Sequence, residues 1–136
     1  MKETGKQFTF SKNERITGTK RIDALFIHGK GFICYPLRII YLLQEQKNEA
    51  GCSVLISVPK KRIKKATQRN RIKRLIRESY RLNKKLIDNT ELGERSLKIA
   101  FIYVKENESD LPEIQKAMQK ALIKITEQIK KREESE

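Results

Sequence analysis

The feature that most constrains this chain is a basic stretch from Lys60 to Lys85, KKRIKKATQRNRIKRLIRESYRLNKK, in which thirteen lysines and arginines stand against one acid, Glu78. Apolar and small residues recur in it at helical spacing. These residues, which share one face, are Ile72, Leu75, Ile76, Ser79, Leu82 and Leu86. At about 100° per residue, most of the cations fall on the opposite face. The stretch therefore predicts a rigid helix over 68–87 that packs by one side and presents guanidinium groups on the other.

The charge of that second face indicates a polyanionic partner. A solvated helix face usually mixes signs, because Glu and Lys four residues apart stabilise the helix, whereas packed like charges repel. We expect Glu78 to form an ion pair with Arg74, Arg81 or Lys85. The whole chain of 136 residues is also basic, with 31 Lys and Arg against 17 Asp and Glu and a net charge of +14. This pattern favours a nucleic-acid-binding surface.

Two other classes of protein fit the sequence poorly. No apolar run approaches the ~18 residues of a membrane-spanning helix, and the basic helix lacks the Trp and Phe of an interfacial anchor. The first ten residues contain no hydrophobic export segment, so we expect a cytoplasmic protein whose Cys34 and Cys52 are buried thiols. With His28 as the one histidine, a Cys-rich zinc site cannot form.

The rest of the chain predicts one domain over residues 1–132, followed by a charged tail, 133–136, without regular structure. Residues 1–15 read as an extended arm carrying Phe8 and Phe10. The expected elements are a helix over Lys20–His28, strands over Phe32–Cys34, Leu37–Leu43, Cys52–Val58 and Leu97–Val104, the basic helix, and a last helix opened by Pro112. Residues 44–51 are a hairpin candidate. In the strand over Leu37–Leu43, alternate residues should point to opposite faces, and in the last helix the apolar residues from Ile114 to Ile129 should form one stripe. The fold class is therefore an α/β (α+β) sandwich around a four-stranded mixed sheet.

The residues Gln68 to Arg81, QRNRIKRLIRESYR, resemble the signature of the protein subunit of bacterial ribonuclease P. That signature is a Lys pair after a strand, a spacer, and then Arg-Asn-Arg, any residue, Lys-Arg, two apolar residues and Arg. The preceding LISVPKK and the LFIHGK segment also resemble the family, and the element order matches over about residues 15–130. The resemblance implies a left-handed β-α-β crossover, a hand that periodicity alone cannot give.

The resemblance also implies a role. The family's protein binds a large catalytic RNA and the single-stranded 5′ leader of precursor tRNA, and it assists removal of the leader by hydrolysis. The RNA holds most of the Mg²⁺, and neither DNA nor a membrane is an expected partner. Carried over by position, the residues at the catalytic RNA are Lys60, Lys61, Arg69, Asn70, Arg71, Lys73, Arg74 and Arg77. For the leader they are Ile22, Phe26 and Tyr41, with Ile22 departing from the aromatic that the family usually has.

The residues themselves predict no catalytic site and no metal site in the protein. A nuclease needs acid–base groups or carboxylates that hold metal ions, but His28 is a single histidine and Asp23, Asp88 and Asp110 lie in different polar segments. The main alternative is a structural RNA-binding protein of the ribosomal type. A zipper-type DNA reader is disfavoured because the seven-residue spacing of Leu75 and Leu82 does not continue at position 89, which is Asn, and an autonomous nuclease is disfavoured because no catalytic constellation is found. Charge alone cannot separate RNA from duplex DNA.

Overall fold

The computed structural model describes residues 19–44, 51–88 and 95–135. Their elements are α1 (Thr19–His28), β1 (Lys30–Cys34), β2 (Leu37–Gln44), β3 (Gly51–Ser57), α2 (Ala66–Asn83), α3 (Lys85–Asp88), β4 (Ser96–Tyr103) and α4 (Leu111–Ser135). The predicted order of elements is confirmed, with boundaries that differ by a few residues. The predicted N-terminal arm, with Phe8 and Phe10, lies outside the described residues.

The four strands form one mixed sheet in the order β1-β2-β4-β3. β1 pairs with β2 and β2 with β4 in antiparallel register, whereas β3 and β4 are parallel. The predicted β-α-β unit is therefore β3-α2-β4. The hairpin predicted at residues 44–51 is wrong, because β4 lies between β2 and β3. Seven of the eight residues of β4 are buried, and such a strand needs a neighbour along both edges.

The two faces of the sheet carry different helices. α2 and α4 pack on one face, where Leu37, Ile39 and Tyr41 of β2 join the main core. On the other face, Leu25 of α1 packs against Ile40 and Ala100. The alternation predicted for β2 is thus confirmed, since successive side chains of a strand point to opposite faces. α1 ends on the sheet at Gly29, where an added Cβ would lie 2.4 Å from the carbonyl oxygen of Leu25.

α2 differs from the predicted basic helix at its C-terminal end and on its packed face. The helix stops at Asn83 rather than running to residue 87. The side chain of Asn83 donates to the carbonyl oxygen of Ser79 at 2.8 Å, a local bond by which Asn competes with the helix backbone. Tyr80, absent from the predicted stripe, is buried with its ring 6.1 Å from that of Phe101. Lys84, predicted on the solvent side, is buried at the helix end.

α4 closes the core. Its N-terminus is capped by Asp110, whose carboxylate accepts from the backbone N–H of Glu113 at 3.1 Å. The apolar stripe predicted for this helix is confirmed, with all of its members buried: Ile114, Ala117, Met118, Ala121, Leu122, Ile125 and Ile129. The backbone remains helical to Ser135, so the expectation of an unstructured tail is wrong for residues 133–135. A helix can continue beyond its apolar stripe where the following charged residues, such as Lys, Arg and Glu, have a high helix propensity.

The two cysteines are free and partly exposed, not fully buried as predicted. Cys34 lies at the end of the edge strand β1, and Cys52 lies near the start of the edge strand β3, so neither is covered on all sides. Desolvation still raises the pKa of the Cys34 thiol, although Lys124 and Lys120 oppose the rise.

Candidate nucleic-acid interface

The basic residues occupy the loop 59–65 and the helix α2 that follows it. Pro59 stops β3, and its carbonyl oxygen accepts from the backbone N–H groups of Arg62 and Ile63 at 3.0 and 3.2 Å. Ile63 is buried and fastens the loop to the core, while Lys60 and Lys61 remain exposed. The loop is therefore a formed turn that holds two lysines beside the first turn of α2.

Arg69 fixes this loop to the helix. Its guanidinium donates to the carbonyl oxygens of Ile63 at 3.0 Å and Lys64 at 2.7 Å. A planar guanidinium with several donors suits such a double contact. Arg69 therefore has a structural role that the sequence pattern did not indicate, beside the RNA contact predicted for it.

The other predicted RNA-binding residues share the outer side of α2. Asn70, Arg74 and Arg77 are exposed and lie four and three residues apart, on the side opposite the buried Ile72 and Ile76. Lys73 is half-buried on the flank of this side. The structure thus brings together the residues predicted at the catalytic RNA, which we call the α2 surface: Lys60, Lys61, Arg69, Asn70, Arg71, Lys73, Arg74 and Arg77.

Two carboxylates of the turn 105–110 face this surface. Glu108 pairs with the exposed Arg71 at 2.8 Å, and Glu106 pairs with Arg62 at 3.4 Å. Together with Lys61 and Lys64 they line an open cleft between the loop 59–65 and the turn. The sequence did not indicate these pairs, because the partners are 37 and 44 residues apart.

Glu78 forms the predicted ion pair within the helix. Arg81 donates to its carboxylate at 2.5 and 3.1 Å. This hydrogen bonding lowers the pKa of Glu78 and raises the pKa of Arg81. The guanidinium of Arg81 is therefore already engaged by a carboxylate, unlike that of Arg69, which contacts neutral carbonyl groups.

The predicted leader residues do not meet at one site. Phe26 is 45% exposed on α1, but Tyr41 is 5% exposed on the opposite face of the sheet. There its hydroxyl donates to the side chain of Gln128 on α4, and its ring packs edge-on against Phe32. Tyr41 is thus a core residue, and the position facing α1 is the next residue back, Ile40. The side chain of Ile22 lies outside the described residues.

The sheet face under α1 carries residues that the sequence reasoning missed. Ile33, Arg38 and Ile102 are register neighbours on β1, β2 and β4, and their alternation places them on the side of Ile40. Ile33 is 64% exposed and Arg38 is also exposed, so an apolar platform lies next to a cation. We call Phe26, Ile33, Arg38 and Ile102 the α1-side surface. The alternation of β2 places Arg38 on the same face as Ile40, so this signal in the sequence could have identified Arg38 as a residue of the α1 side.

Neither a metal site nor a membrane span is found in the part of the chain that the structure describes. Within residues 19–44, 51–88 and 95–135, no group of three or more His, Cys, Asp or Glu is placed to hold a metal ion. No described helix is long and apolar enough to cross a membrane.

Comparison with known proteins identifies the family. The family model described as Ribonuclease P matches residues 10–126. The chain belongs to the ribonuclease P protein family. The ribonuclease P protein component of Porphyromonas gingivalis strain ATCC 33277 is 46% identical over 120 residues, which cover 87% of each chain. That of Chlorobaculum tepidum is 33% identical over 100 residues, 68% of this chain and 65% of the relative.

Solved structures of ribonuclease P proteins share the fold. The Staphylococcus aureus protein superposes with a TM-score of 0.64 at 23% identity, covering 82% of this chain and 94% of the other. The Thermotoga maritima protein gives the same TM-score at 22% identity, covering 82% and 96%. The α+β sandwich with its mixed sheet is therefore that of ribonuclease P proteins. The ribosomal-type alternative is not favoured by these matches.

Proposed function

We propose that this chain is the protein subunit of a ribonuclease P ribonucleoprotein, in which it binds the catalytic RNA and precursor tRNA and assists removal of the 5′ leader. The observation that carries the proposal is the α2 surface, a formed array of cations at the Arg-Asn-Arg signature of a chain that belongs to this family. The partner is an RNA, and the compartment we propose is the cytoplasm.

The α2 surface is suited to the phosphate backbone of the catalytic RNA. Its arginines and lysines stand on a helix that Ile72 and Ile76 anchor in the core, so the cations are held in place before binding. Guanidinium groups bind phosphates through paired, charge-assisted hydrogen bonds. Such contacts provide affinity and orientation without reading sequence.

The α1-side surface is suited to the single-stranded leader. Unpaired bases stack on exposed aromatic or apolar side chains, and a neighbouring cation holds the phosphate. Phe26 and Ile33 offer the apolar faces, and Arg38 offers the cation. We therefore propose Phe26 with Arg38 at the leader, in place of the pair Phe26 and Tyr41.

We propose that the chemistry belongs to the RNA and to Mg²⁺ held mainly by the RNA. The protein's cations reduce the repulsion between two polyanions, and its two surfaces orient the substrate relative to the catalytic RNA. Orienting the substrate before the reaction and neutralising its charge both lower the activation barrier, and neither requires a catalytic side chain on the protein.

Reconstitution tests the proposal. The purified chain is mixed at low Mg²⁺ with the ribonuclease P RNA of the same source, and 5′ leader release from a precursor tRNA is followed. We expect cleavage with both components, and little with the RNA alone or the chain alone. If the chain binds the RNA but adds nothing to cleavage, the structural RNA-binding alternative replaces the proposal.

Two variants separate the surfaces in the same assay. Arg74→Gln, on the α2 surface, should weaken assembly with the catalytic RNA. Phe26→Ala, on the α1-side surface, should leave assembly unchanged and weaken substrate binding by the assembled enzyme. Tyr41→Phe removes only a hydroxyl on the other face of the sheet and is the matched control for leader binding. Loss with Tyr41→Phe but not Phe26→Ala would contradict the α1-side assignment.

A further inference from the structure

A second group of cations lies on α4, outside both surfaces described above. Lys116, Lys120 and Lys124 are exposed and follow one another at four-residue spacing, which places them in one row along the helix. A rise of 1.5 Å per residue separates neighbouring Cα atoms in the row by about 6 Å. We call these three residues the α4 lysine row.

The contacts of α4 show which way the row faces. One flank of the helix contacts α2 and α3, where Gln119 donates to the side chain of Asn83 at 3.2 Å and Thr126 donates to the carbonyl oxygen of Leu86 at 3.3 Å. On the other flank, the ammonium of Lys124 lies 4.7 Å from the ring centroid of Phe32 in β1. The row therefore borders β1, and the width of α4 separates it from the α2 surface.

The charges in the row are not balanced locally. Like charges four residues apart destabilise a helix, so a row made only of lysines lowers the stability of α4. Among the described residues, none of the three lysines forms an ion pair with a carboxylate. Glu113, three residues before Lys116, pairs instead with Lys105 at 2.9 Å, and Glu127, three residues after Lys124, forms no ion pair with it.

β1 adds to this surface. Lys30 is two residues before Phe32 in β1, so both side chains lie on the same face of the strand, and Lys30 lies next to Gln128 of α4. The opposite face of β1 carries Ile33, beside Arg38 of the α1-side surface. Because β1 is the edge of the sheet, no further strand lies beyond it, and the two faces of the sheet meet along its free edge.

From this arrangement we infer that the α4 lysine row, with Lys30, binds phosphates of the 5′ leader after the leader leaves the α1-side surface and crosses the edge of β1. The inference rests on the proposed function and adds a second leader-binding segment to it. A flexible single strand can turn around a sheet edge, whereas a duplex is too stiff to contact both faces.

Leader length provides the test. Precursor tRNAs whose leaders lengthen one nucleotide at a time are titrated into the reconstituted wild-type enzyme and into a variant with Lys116→Gln, Lys120→Gln and Lys124→Gln. Short leaders should bind both enzymes equally. Beyond a threshold length, the variant should bind more weakly, and the log–log salt slope should be smaller by roughly 2, since single strands give about 0.7 per phosphate contact and three contacts are removed.

Two controls accompany the triple variant. Replacing the same three lysines by Arg keeps the charge and should preserve long-leader binding. Lys130→Gln removes one charge from an exposed lysine further along α4 and should have less effect than Lys120→Gln. The Arg control separates the loss of charge from the loss of side-chain packing, and Lys130→Gln separates a local contact from the loss of net charge.

The outcomes separate this inference from the proposed function. If wild-type enzyme is active and the triple variant binds every leader as wild type does, the inference is wrong and the proposed function stands. If the variant weakens binding of the catalytic RNA regardless of substrate, the row contacts that RNA and not the leader. If only adsorption to anionic vesicles is affected, the row contacts a membrane surface, which also overturns the inference. Failure of the wild-type chain to support cleavage would overturn the proposed function itself.

Discussion

At the scale of single residues, Glu108 pairs with Arg71, one of the cations that we propose contact the catalytic RNA. The guanidinium lies 2.8 Å from the carboxylate, while 63% of the Arg71 side chain is exposed. A phosphate approaching Arg71 meets the negative charge of Glu108. The carboxylate therefore weakens binding of any polyanion that does not fit around it, which favours a shaped RNA over a generic one.

Glu108→Gln should strengthen binding of an unrelated RNA more than binding of the catalytic RNA. Removing an exposed charge of this kind changes binding free energy by about 0.2–1 kcal/mol, or up to about fivefold in Kd. The measurement is a titration with the catalytic RNA and with an unrelated RNA of equal length. Asp23→Asn, an exposed acid on α1, removes the same charge elsewhere and serves as the control. Unchanged or weaker binding by Glu108→Gln would contradict a screening role.

Gly29 is required by close packing between α1 and β2. An added Cβ would lie 2.4 Å from the carbonyl oxygen of Leu25 and 2.9 Å from that of Tyr41. Gly29→Ala must therefore shift the helix end, and we expect a loss of about 1–3 kcal/mol in the free energy of unfolding. At Gly31 the nearest atom is 3.5 Å away, so Gly31→Ala is the matched control. Urea unfolding of both variants checks the prediction, and equal stability would contradict it.

Glu113 gives a pH dependence whose sign follows from its partner. The hydrogen bond from Lys105 lowers the pKa of the Glu113 carboxyl below its ordinary 4.5. The folded state therefore binds fewer protons than the unfolded state, and the contribution to stability is present above pH 4.5 and lost as pH falls through the lower folded pKa. In urea unfolding, the free energy of unfolding of Glu113→Gln should be lower than that of wild type at neutral pH. The difference should disappear as the pH falls below the folded-state pKa of Glu113. A difference that grows on acidification would contradict this assignment.

At the scale of elements, α2 combines a binding face with a structural anchor for its own loop. Arg69→Ala should release the loop 59–65, because its two carbonyl contacts at 3.0 and 2.7 Å are lost, and so should disturb Lys60 and Lys61 as well. Arg81→Ala removes a guanidinium already paired with Glu78. We therefore expect Arg69→Ala to weaken binding of the catalytic RNA more than Arg81→Ala does. Equal losses in titrations at one salt concentration would indicate a diffuse charge patch instead.

Periodicity predicted what is local in these elements. The stripe of α4 and the alternation of β2 follow from repeats of 3.6 and 2 residues, and both are confirmed. Periodicity did not predict which strands are neighbours in the sheet. The pattern of a strand shows which of its faces are buried, but it does not show which strand pairs with it. The hairpin between β2 and β3 was wrong for that reason.

The candidate site shows the same limit of local patterns. The exposed cations of α2 were predictable because a buried stripe fixes the opposite face. Tyr41 was assigned to the leader by its residue type, although a shift of one residue in a strand exchanges the two faces. Its burial beside Phe32 and its bond to Gln128 come from α4, which follows about 70 residues later in the chain. Such long-range contacts are not recorded in a local pattern.

At the scale of the whole molecule, the sheet separates the α2 surface from the α1-side surface, the two proposed RNA-binding surfaces. α2 and α4 cover one face, and α1 covers part of the other. Layers packed on a sheet lie about 10 Å from it, so cations on the outside of α2 and on the α1 side are too far apart to share a phosphate. A protein built this way can contact two RNA segments at once, which is what bringing a substrate to a catalytic RNA requires.

This separation predicts that the two surfaces contribute independently. Arg74→Gln changes the α2 surface and Arg38→Gln the α1-side surface, with the buried sheet between them. The free-energy changes caused by substitutions more than about 7–10 Å apart, with no shared partner, usually add to within about 0.3–0.5 kcal/mol. Single-turnover leader release by each single variant and the double variant measures the coupling as a difference in activation free energy. Additive losses are expected when both the catalytic RNA and the precursor tRNA are below saturation, so that each binding defect contributes to the measured rate. A coupling well above that range would mean that the two RNA segments meet at one surface, and the division of labour between the faces of the sheet would be wrong.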